Sequence, residues 1–346
     1  MAYRVGVLGA GPGVSALHLP TLDRLPDLFR VVHIADGGSG RAEALARRAG
    51  ARWSTGTAEL LADPEVDVVA ICSPPERHAE QILDAVAAGA RTILCEKPLA
   101  LTHDEADAVV DACRDAGVAL VVGTNHLFDP AWGRARHHIA AEQAPVRAIS
   151  ITVSLPPNGR YHDVVTESLP GAVPARPAPD WRDAGFSAAV VRQLVLGLGV
   201  HDLPLLRDLA PRLDRVVFAR PLAPIGYCIG FIAGDVLLRL SAVMLPAGAD
   251  ALWRLTVATG RDLVDVEFPP AFVHDGSARA RVRHVDGRVS EYPPLPDDGY
   301  VAEWRVVAAL AGGVEAVEYD EMLADAHYAI DLADAAALAV REGMTR

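Results

Sequence analysis

The chain has 346 residues and carries 32 Lys and Arg against 45 Asp and Glu, a formal net charge of −13. That length is more than one ordinary core holds, so two domains are expected. A composition 51% apolar and 22% charged is globular rather than disordered, and the acidic balance argues against nucleic acid and anionic membranes as partners.

The N-terminus runs straight into YRVGVLGAG, without the basic segment, apolar stretch and cleavage site of a secretory signal. Arg and Asp interrupt each apolar run well short of 18 residues, so no membrane span is expected, and the setting is read as cytoplasmic. Short apolar runs then follow at 4–8, 30–35, 67–72, 92–95 and 119–123. Between them lie helix-like segments such as ERHAEQILDAVAAGA and THDEADAVVDACRDAG, the latter opening on a Thr102/Glu105 capping box. Alternation of nearly all-apolar strands with helices predicts a parallel, doubly wound sheet over residues 1–125. Cys72, Cys95, Cys113 and Cys228 show no metal-ligand spacing, so no metal centre is expected and two of them read as small core residues.

The pattern changes after about residue 145. A Pro-rich stretch runs from Leu155 to Pro179, and a helix is predicted over 187–210. Alternating runs follow in close succession; Arg279, Arg281 and Arg283 face one way and Ala280 and Val282 the other. This predicts an open, mostly antiparallel sheet within an α/β domain over 126–346, closed by helices over 300–311 and 320–342. An alternating face left open predicts a homodimer or homotetramer.

Two features carry chemistry before any resemblance is considered. The turn GVLGAGPGV follows the first strand and opens a helix. Gly9 and Gly11 fit the first two places of a dinucleotide-binding glycine turn, where backbone N–H groups approach a pyrophosphate. Val14 stands at the third place, and Pro12 and Gly13 point to a rearranged turn. The second run ends at Asp36, placed to bind ribose hydroxyls and to repel a 2′-phosphate, which favours NAD. Asp36 could equally start a turn. Farther on, RTILCEKPLA ends an apolar run at Glu96, Lys97 and Pro98, where parallel sheets place ligands but where a plain surface turn would also fit.

In order along the chain stand VGVLGAGPG, AICSPPERHAEQ, LCEKPLAL, GTNHLFDPAW, DWR and LGVHDLPLL. This succession resembles the Gfo/Idh/MocA family of NAD(P)-dependent sugar and polyol oxidoreductases, most specifically at residues 96–98 and 199–202. The resemblance implies a Rossmann domain, an α/β domain with an open sheet, and Lys97 and His201 facing nicotinamide and substrate. A neutral His suits proton abstraction from a hydroxyl, and an ammonium steadies negative charge developing on its oxygen. His201 is therefore read as general base and Lys97 as its electrostatic partner. NAD contacts are expected from Gly9, Gly11, Pro12, Gly13, Val14, Asp36, Ser73, Pro74, Pro75, His78, Glu96, Lys97 and Asn125. Substrate contacts are expected from Lys97, Asn125, His126, Trp181, Arg182 and His201.

The chain departs from the family where an Asp often precedes the His by four residues; here that position is Gly197, and Asp183 or a Tyr is expected to compensate. Arg192 and Gln193 replace common glycines, and His126 and Leu127 stand where basic residues are frequent. The GAGPGVSALHLP start, the Arg- and Ala-rich composition and the missing Asp resemble actinomycete members from aminoglycoside pathways. Those members oxidise a sugar hydroxyl before an aminotransferase installs an amine, and a polycationic sugar suits an acidic protein. An NAD-dependent glycosidase, a reductase and a cofactor-sensing regulator of the same fold stay open as alternatives.

Overall fold

The structure is a computed structural model that describes residues 2–156, 180–245, 251–270 and 273–344. It divides into two compact units. The first holds the described residues up to Asn125 together with Tyr300–His327; the second holds the described residues of 126–299 and those from Tyr328 onward.

In the first unit, six parallel strands form one sheet: β1 (Tyr3–Leu8), β2 (Phe29–Asp36), β3 (Arg52–Thr55), β4 (Val68–Ile71), β5 (Thr92–Glu96) and β6 (Ala119–Gly123). Their order is β3-β2-β1-β4-β5-β6, so the chain reverses its winding between β1 and β4. Ligands of such sheets bind beyond the strand ends at that reversal. The strands are apolar because both faces are covered: all four residues of β4 are buried, as are Ile93, Leu94 and Cys95 of β5. Helix His103–Ala116 starts at the expected cap, where Thr102 Oγ1 accepts the Glu105 N–H (3.3 Å). The reciprocal bond is displaced by one residue, running from Leu101 N–H to Glu105 Oε2 (2.9 Å). From the C-terminal part, Trp304 packs edge-on against Phe29 (5.0 Å between centroids), and the Tyr319 hydroxyl donates to Val118 O (2.7 Å). These contacts place 300–327 with the first unit rather than with the second.

The second unit holds an eight-stranded sheet: β7 (Val146–Leu155), β8 (Arg215–Pro221), β9 (Ile225–Ala233), β10 (Val236–Met244), β11 (Leu252–Thr259), β12 (Leu263–Glu267), β13 (Arg279–Arg283) and β14 (Val289–Tyr292). Its order is β14-β13-β12-β11-β7-β10-β9-β8, and every neighbouring pair is antiparallel except β7 with β10. The fold is thus α/β, with a Rossmann-like parallel sheet and a second, mostly antiparallel one. Alternation gives the second sheet two chemically different faces. Ile149, Ile151, Val153, Leu238, Leu240, Leu255 and Val257 are buried on one. The other bears ion pairs such as Arg254–Glu267 (2.8 Å) and Arg283–Asp265 (3.0 Å). Helix Pro130–Glu142 packs on β12 and β13, and helix Ala184–Gly197 on β8 and β9.

The single helix expected over 187–210 is three pieces: Ala184–Gly197, a tight turn Gly199–His201, and Leu203–Leu209. Gly197, Gly199 and Pro204 break it, as residues without a Cβ or without an N–H do. Among the described residues, Ala184–His201 is long and apolar enough to span a membrane by composition (mean hydropathy 1.3), but it is interrupted by that break and packed on the sheet. The Pro-rich stretch expected from Leu155 lies outside the described residues over 157–179.

Candidate active site

The first unit gathers chemistry at the carboxyl ends of its strands. Gly9 ends β1 at φ +119°, a conformation that L side chains rarely adopt, and a Cβ there would run into the Cys72 carbonyl oxygen. Gly9 N–H donates to Ala35 O and Cys72 N–H to Leu8 O (both 2.7 Å), which pins the turn between β2 and β4. By contrast, a Cβ on Gly11 or Gly13 would meet nothing within 4 Å. Pro12 opens the helix that follows, and its first full turns, Val14–His18, are wider than an ordinary α-helix. Val14, at the start of that wide turn, is buried at 1% exposure where the motif usually has Gly or Ala. A tight turn, open space and a helix start at the winding reversal fit a dinucleotide.

Asp36 is engaged with its own loop. Oδ1 accepts from Gly38 N–H (2.8 Å) and Ser39 N–H (3.2 Å), and Oδ2 from the Ser39 hydroxyl and Ala42 N–H (3.4 Å). Burial pushes its carboxyl up, but these bonds outweigh it and hold the group below its usual range. Asp36 therefore starts a turn and also presents an anion at the end of β2. Arg41 begins the next helix directly behind that loop.

At the end of β4, the Ser73 hydroxyl donates to Gln81 Oε1 (2.5 Å), and Pro74 and Pro75 lead into a short turn. His78, fully buried, faces Ser73 O with Nε2 (2.9 Å) and Pro98 O with Nδ1 (2.7 Å). The ring thus sits between the β4 loop and the residue after Lys97, and a neutral ring donates its one N–H to one of the two carbonyls. At the end of β5, Glu96 Oε2 accepts the Lys97 N–H (3.1 Å) and Oε1 lies 2.8 Å from His18 Nε2. Trp304 Nε1–H donates to His18 Nδ1 (3.3 Å), which leaves the proton on Nε2 and directs it at Glu96. Burial pushes the Glu96 carboxyl up; the His18 bond and the Lys97 charge overcome this and keep it below its usual range. Burial pulls the Lys97 ammonium below its ordinary range, and Glu96 opposes that pull. Asn125, after β6, is buried at the end of this unit.

The second unit builds a different cluster. His201, 3% exposed, ends the tight turn after helix Ala184–Gly197. Its ring lies 5.5 Å from that of His126 and 5.3 Å, edge-on, from Trp253 of β11. Asp202 orders both neighbours: its carboxyl accepts from His126 Nδ1 (2.8 Å) and from Trp253 Nε1 (2.8 and 3.1 Å). His126 also stacks on Phe268 at 3.9 Å. It is buried, with Nδ1 on Asp202, so its contacts here are with protein. Gly199 is required by Tyr227, whose hydroxyl would lie 2.9 Å from a Cβ there. Burial, aided by Asp202, pushes the Tyr227 hydroxyl well up. Trp181, half-buried, packs edge-on to Phe186 (5.8 Å), while Arg182 is exposed.

Residues 3–124 match the family described as "Oxidoreductase family, NAD-binding Rossmann fold" (GFO_IDH_MocA). D-xylose 1-dehydrogenase (NADP(+)) 2 of Haloferax volcanii is 30% identical over 317 residues, 90% of this chain and 89% of that one. The chain belongs to this oxidoreductase family. The scyllo-inositol 2-dehydrogenase (NAD(+)) of Bacillus subtilis is 35% identical over 139 residues, 40% of either chain. That match and another to a Bacillus subtilis oxidoreductase span only 40% and 36% of those relatives' length. A 3-ketoreductase from Actinomadura kijaniata, solved with NADP and TDP-benzene, has the same fold (TM-score 0.72, 20% identity, 94% of this chain and 95% of that one).

Within this Gfo/Idh/MocA framework the chain's departures take physical form. Gly197 is exposed, and a Cβ on it would meet nothing within 4 Å, so an acid there would have room. Asp183 does not replace it. That residue caps the start of helix Ala184–Gly197, accepting the Phe186 N–H (2.8 Å), about 21 Å away at 1.5 Å per residue. Arg192 pairs with Asp334 (2.5 Å) on the last helix. Asp202, Trp253, His18 and Trp304 are the supports that sequence reasoning did not assign. Asp202 adjoins His201 in GVHD and was within reach; the other three meet their partners only through the fold.

Proposed function

We propose that this chain is a nicotinamide-dependent dehydrogenase that oxidises a secondary hydroxyl of a sugar or aminosugar to a ketone. The observation that carries the proposal is Lys97, held at the end of β5 by Glu96 and lowered in basicity by burial, in a chain whose GVHD segment buries His201 beside an Asp202-anchored His and Trp. When bound, the nicotinamide ring supplies the hydride-accepting carbon. Gly9, Gly11, Pro12, Gly13 and Val14 would hold the pyrophosphate side and Asp36 the adenosine ribose. Ser73, Pro74, Pro75, Glu96 and Asn125 would line the cofactor's other end. His201 takes the hydroxyl proton, and Lys97 orients the hydroxyl and steadies charge on its oxygen. His78, lodged between the Ser73 and Pro98 carbonyls, is proposed to help position the segment that carries Lys97. His126, Trp181 and Arg182 are proposed on the substrate side.

NAD is the proposed cofactor because Asp36 is an anion at the end of β2. Arg41, beside the same loop, is the feature that would serve a 2′-phosphate instead. In this reading, the first unit binds the cofactor, and the second binds substrate and forms a homodimer or homotetramer through the open sheet face. The finer substrate proposal is the 3″-hydroxyl of an aminoglycoside intermediate of the gentamicin type, ahead of transamination. It draws on the net charge of −13 and on the resemblance to aminoglycoside-pathway members.

The test is an absorbance screen at the reduced-nicotinamide band, with NAD and with NADP, across aminoglycoside intermediates, nucleotide sugars and inositols. Turnover on an aminoglycoside with NAD is expected. Glycoside cleavage without net reduction would replace the proposal with a glycosidase, and an inert protein that still binds NAD would replace it with a sensor.

A further inference from the structure

Away from these residues, the second unit brings two imidazoles and a carboxyl to one point. His138 comes from helix Pro130–Glu142, Asp262 from the turn between β11 and β12, and His284 from the residue after β13. Asp262 Oδ2 lies 2.8 Å from His138 Nε2 and 3.3 Å from His284 Nδ1. All three atoms fall within 4.8 Å of one another. The side chains are 14%, 3% and 13% exposed in chain order, so the cluster is desolvated but not sealed. His138 also lines a cavity of about 430 Å³ with Arg134, His137 and Tyr292.

The surroundings orient two of the three donors. Asp262 Oδ1 accepts the Val285 N–H (3.2 Å), and the Asp262 backbone is fixed by its N–H on Thr259 Oγ1 (2.8 Å) and by the Thr259 N–H on its carbonyl (3.0 Å). The Ser290 hydroxyl meets His284 Nε2 (2.8 Å), on the side of the ring opposite Asp262. Outer hydrogen bonds of this kind set the tautomer and direction of metal ligands. A tetrahedral ion with ligand bonds of about 2.0–2.1 Å separates its ligand atoms by roughly 3.3 Å. Of the three edges, Asp262–His284 already has that length, Asp262–His138 would open by about half an ångström, and His138–His284 lies within 4.8 Å.

We propose that His138, Asp262 and His284 bind a divalent transition-metal ion of the zinc class, with water completing its shell. The ion cross-links helix Pro130–Glu142 to the β11–β12 turn and to the end of β13. It takes no part in the oxidation of substrate. Short sequence motifs give no sign of the site because His138 and Asp262 are 124 residues apart.

The competing account is a purely hydrogen-bonded cluster in which each ring donates N–H to Asp262, and a His138→Gln variant separates the two. A Gln amide still donates to the carboxyl but is a poor ligand for zinc. Metal-stripped protein is dialysed against micromolar ZnCl2, the bound metal is counted by atomic emission, and thermal unfolding is followed with and without the ion. The wild type is expected to hold one equivalent more than His138→Gln and to gain several degrees on zinc addition, with no gain in the variant. Co2+ as a second probe is expected to give a visible ligand-field band in the wild type only. Equal zinc content and equal thermal shifts in wild type and variant would overturn the proposal. If His138→Gln does not fold, His284→Gln serves with the same two outcomes. No substrate or nicotinamide enters these measurements, so their failure leaves the dehydrogenase proposal standing.

Discussion

Removing the Asp202 carboxyl tests how His201 is held. Asp202 is 1% exposed and accepts from two buried donors, His126 Nδ1 and Trp253 Nε1, whose rings flank His201 at 5.5 and 5.3 Å. Asp202→Ala leaves both N–H groups without an acceptor. A stranded buried donor costs about 1–3 kcal/mol, so the pair is worth roughly 2–6 kcal/mol. Asp202→Asn keeps one carbonyl oxygen and turns an NH2 toward the second donor, so one bond is lost and the cost halves to about 1–3 kcal/mol. Denaturant unfolding followed by circular dichroism gives the order wild type, Asn, Ala. In the folded variants, kcat falls because the rings that fix the His201 side chain lose their own anchor. If both variants unfold within about 0.5 kcal/mol of wild type, Asp202 is not the anchor of this cluster.

Three further outcomes follow from the geometry. Glu96 is held below its ordinary value of 4.5, so its stabilising contribution is complete above that value and is lost as pH falls through its lower folded value. Glu96→Gln is therefore less stable than wild type at pH 7, and the gap narrows on acidification; a constant gap from pH 7 to 3 in urea titrations contradicts the assignment. Gly9→Ala meets both a positive φ and the Cys72 carbonyl, costs about 2 kcal/mol or more, and weakens NAD binding in fluorescence titration far more than Gly11→Ala, which has open space. Gly197→Asp is accommodated, with a melting temperature within a few degrees of wild type. The added carboxylate, four residues before His201, changes the acid limb of the kcat/KM profile; an unchanged profile places residue 197 outside the reacting groups.

The parallel sheet was legible because its interior strands are short, mostly apolar runs between helices, and the open sheet because Arg279–Arg283 alternates so regularly. β3 was not: Arg52–Thr55 is a four-residue edge strand with one buried side chain, too little for a pattern. Helix Pro130–Glu142 escaped because its polar face carries His137 and His138 and its apolar stripe is thin, although Asp129 and Pro130 mark its start. Around the site, His201 is singled out by the family resemblance at residues 199–202, and the glycine turn, Asp36 and Lys97 stand in local motifs that chemistry alone makes suspect. Their supports do not. Trp304 reaches His18 across 286 residues of sequence, and Trp253 reaches Asp202 across 51. Likewise, nothing in ERHAEQ says that the His78 ring sits between the Ser73 and Pro98 carbonyls.

The central claim, that Lys97 and His201 carry out hydroxyl oxidation with a bound nicotinamide cofactor, rests on one comparison. Reduced-nicotinamide formation is followed by absorbance for the wild type, Lys97→Ala and His201→Ala on the substrate found by the screen, alongside NAD binding by fluorescence. The account predicts a loss of about a hundredfold or more in kcat for each variant, with NAD still bound. Near-wild-type turnover in either variant would contradict it.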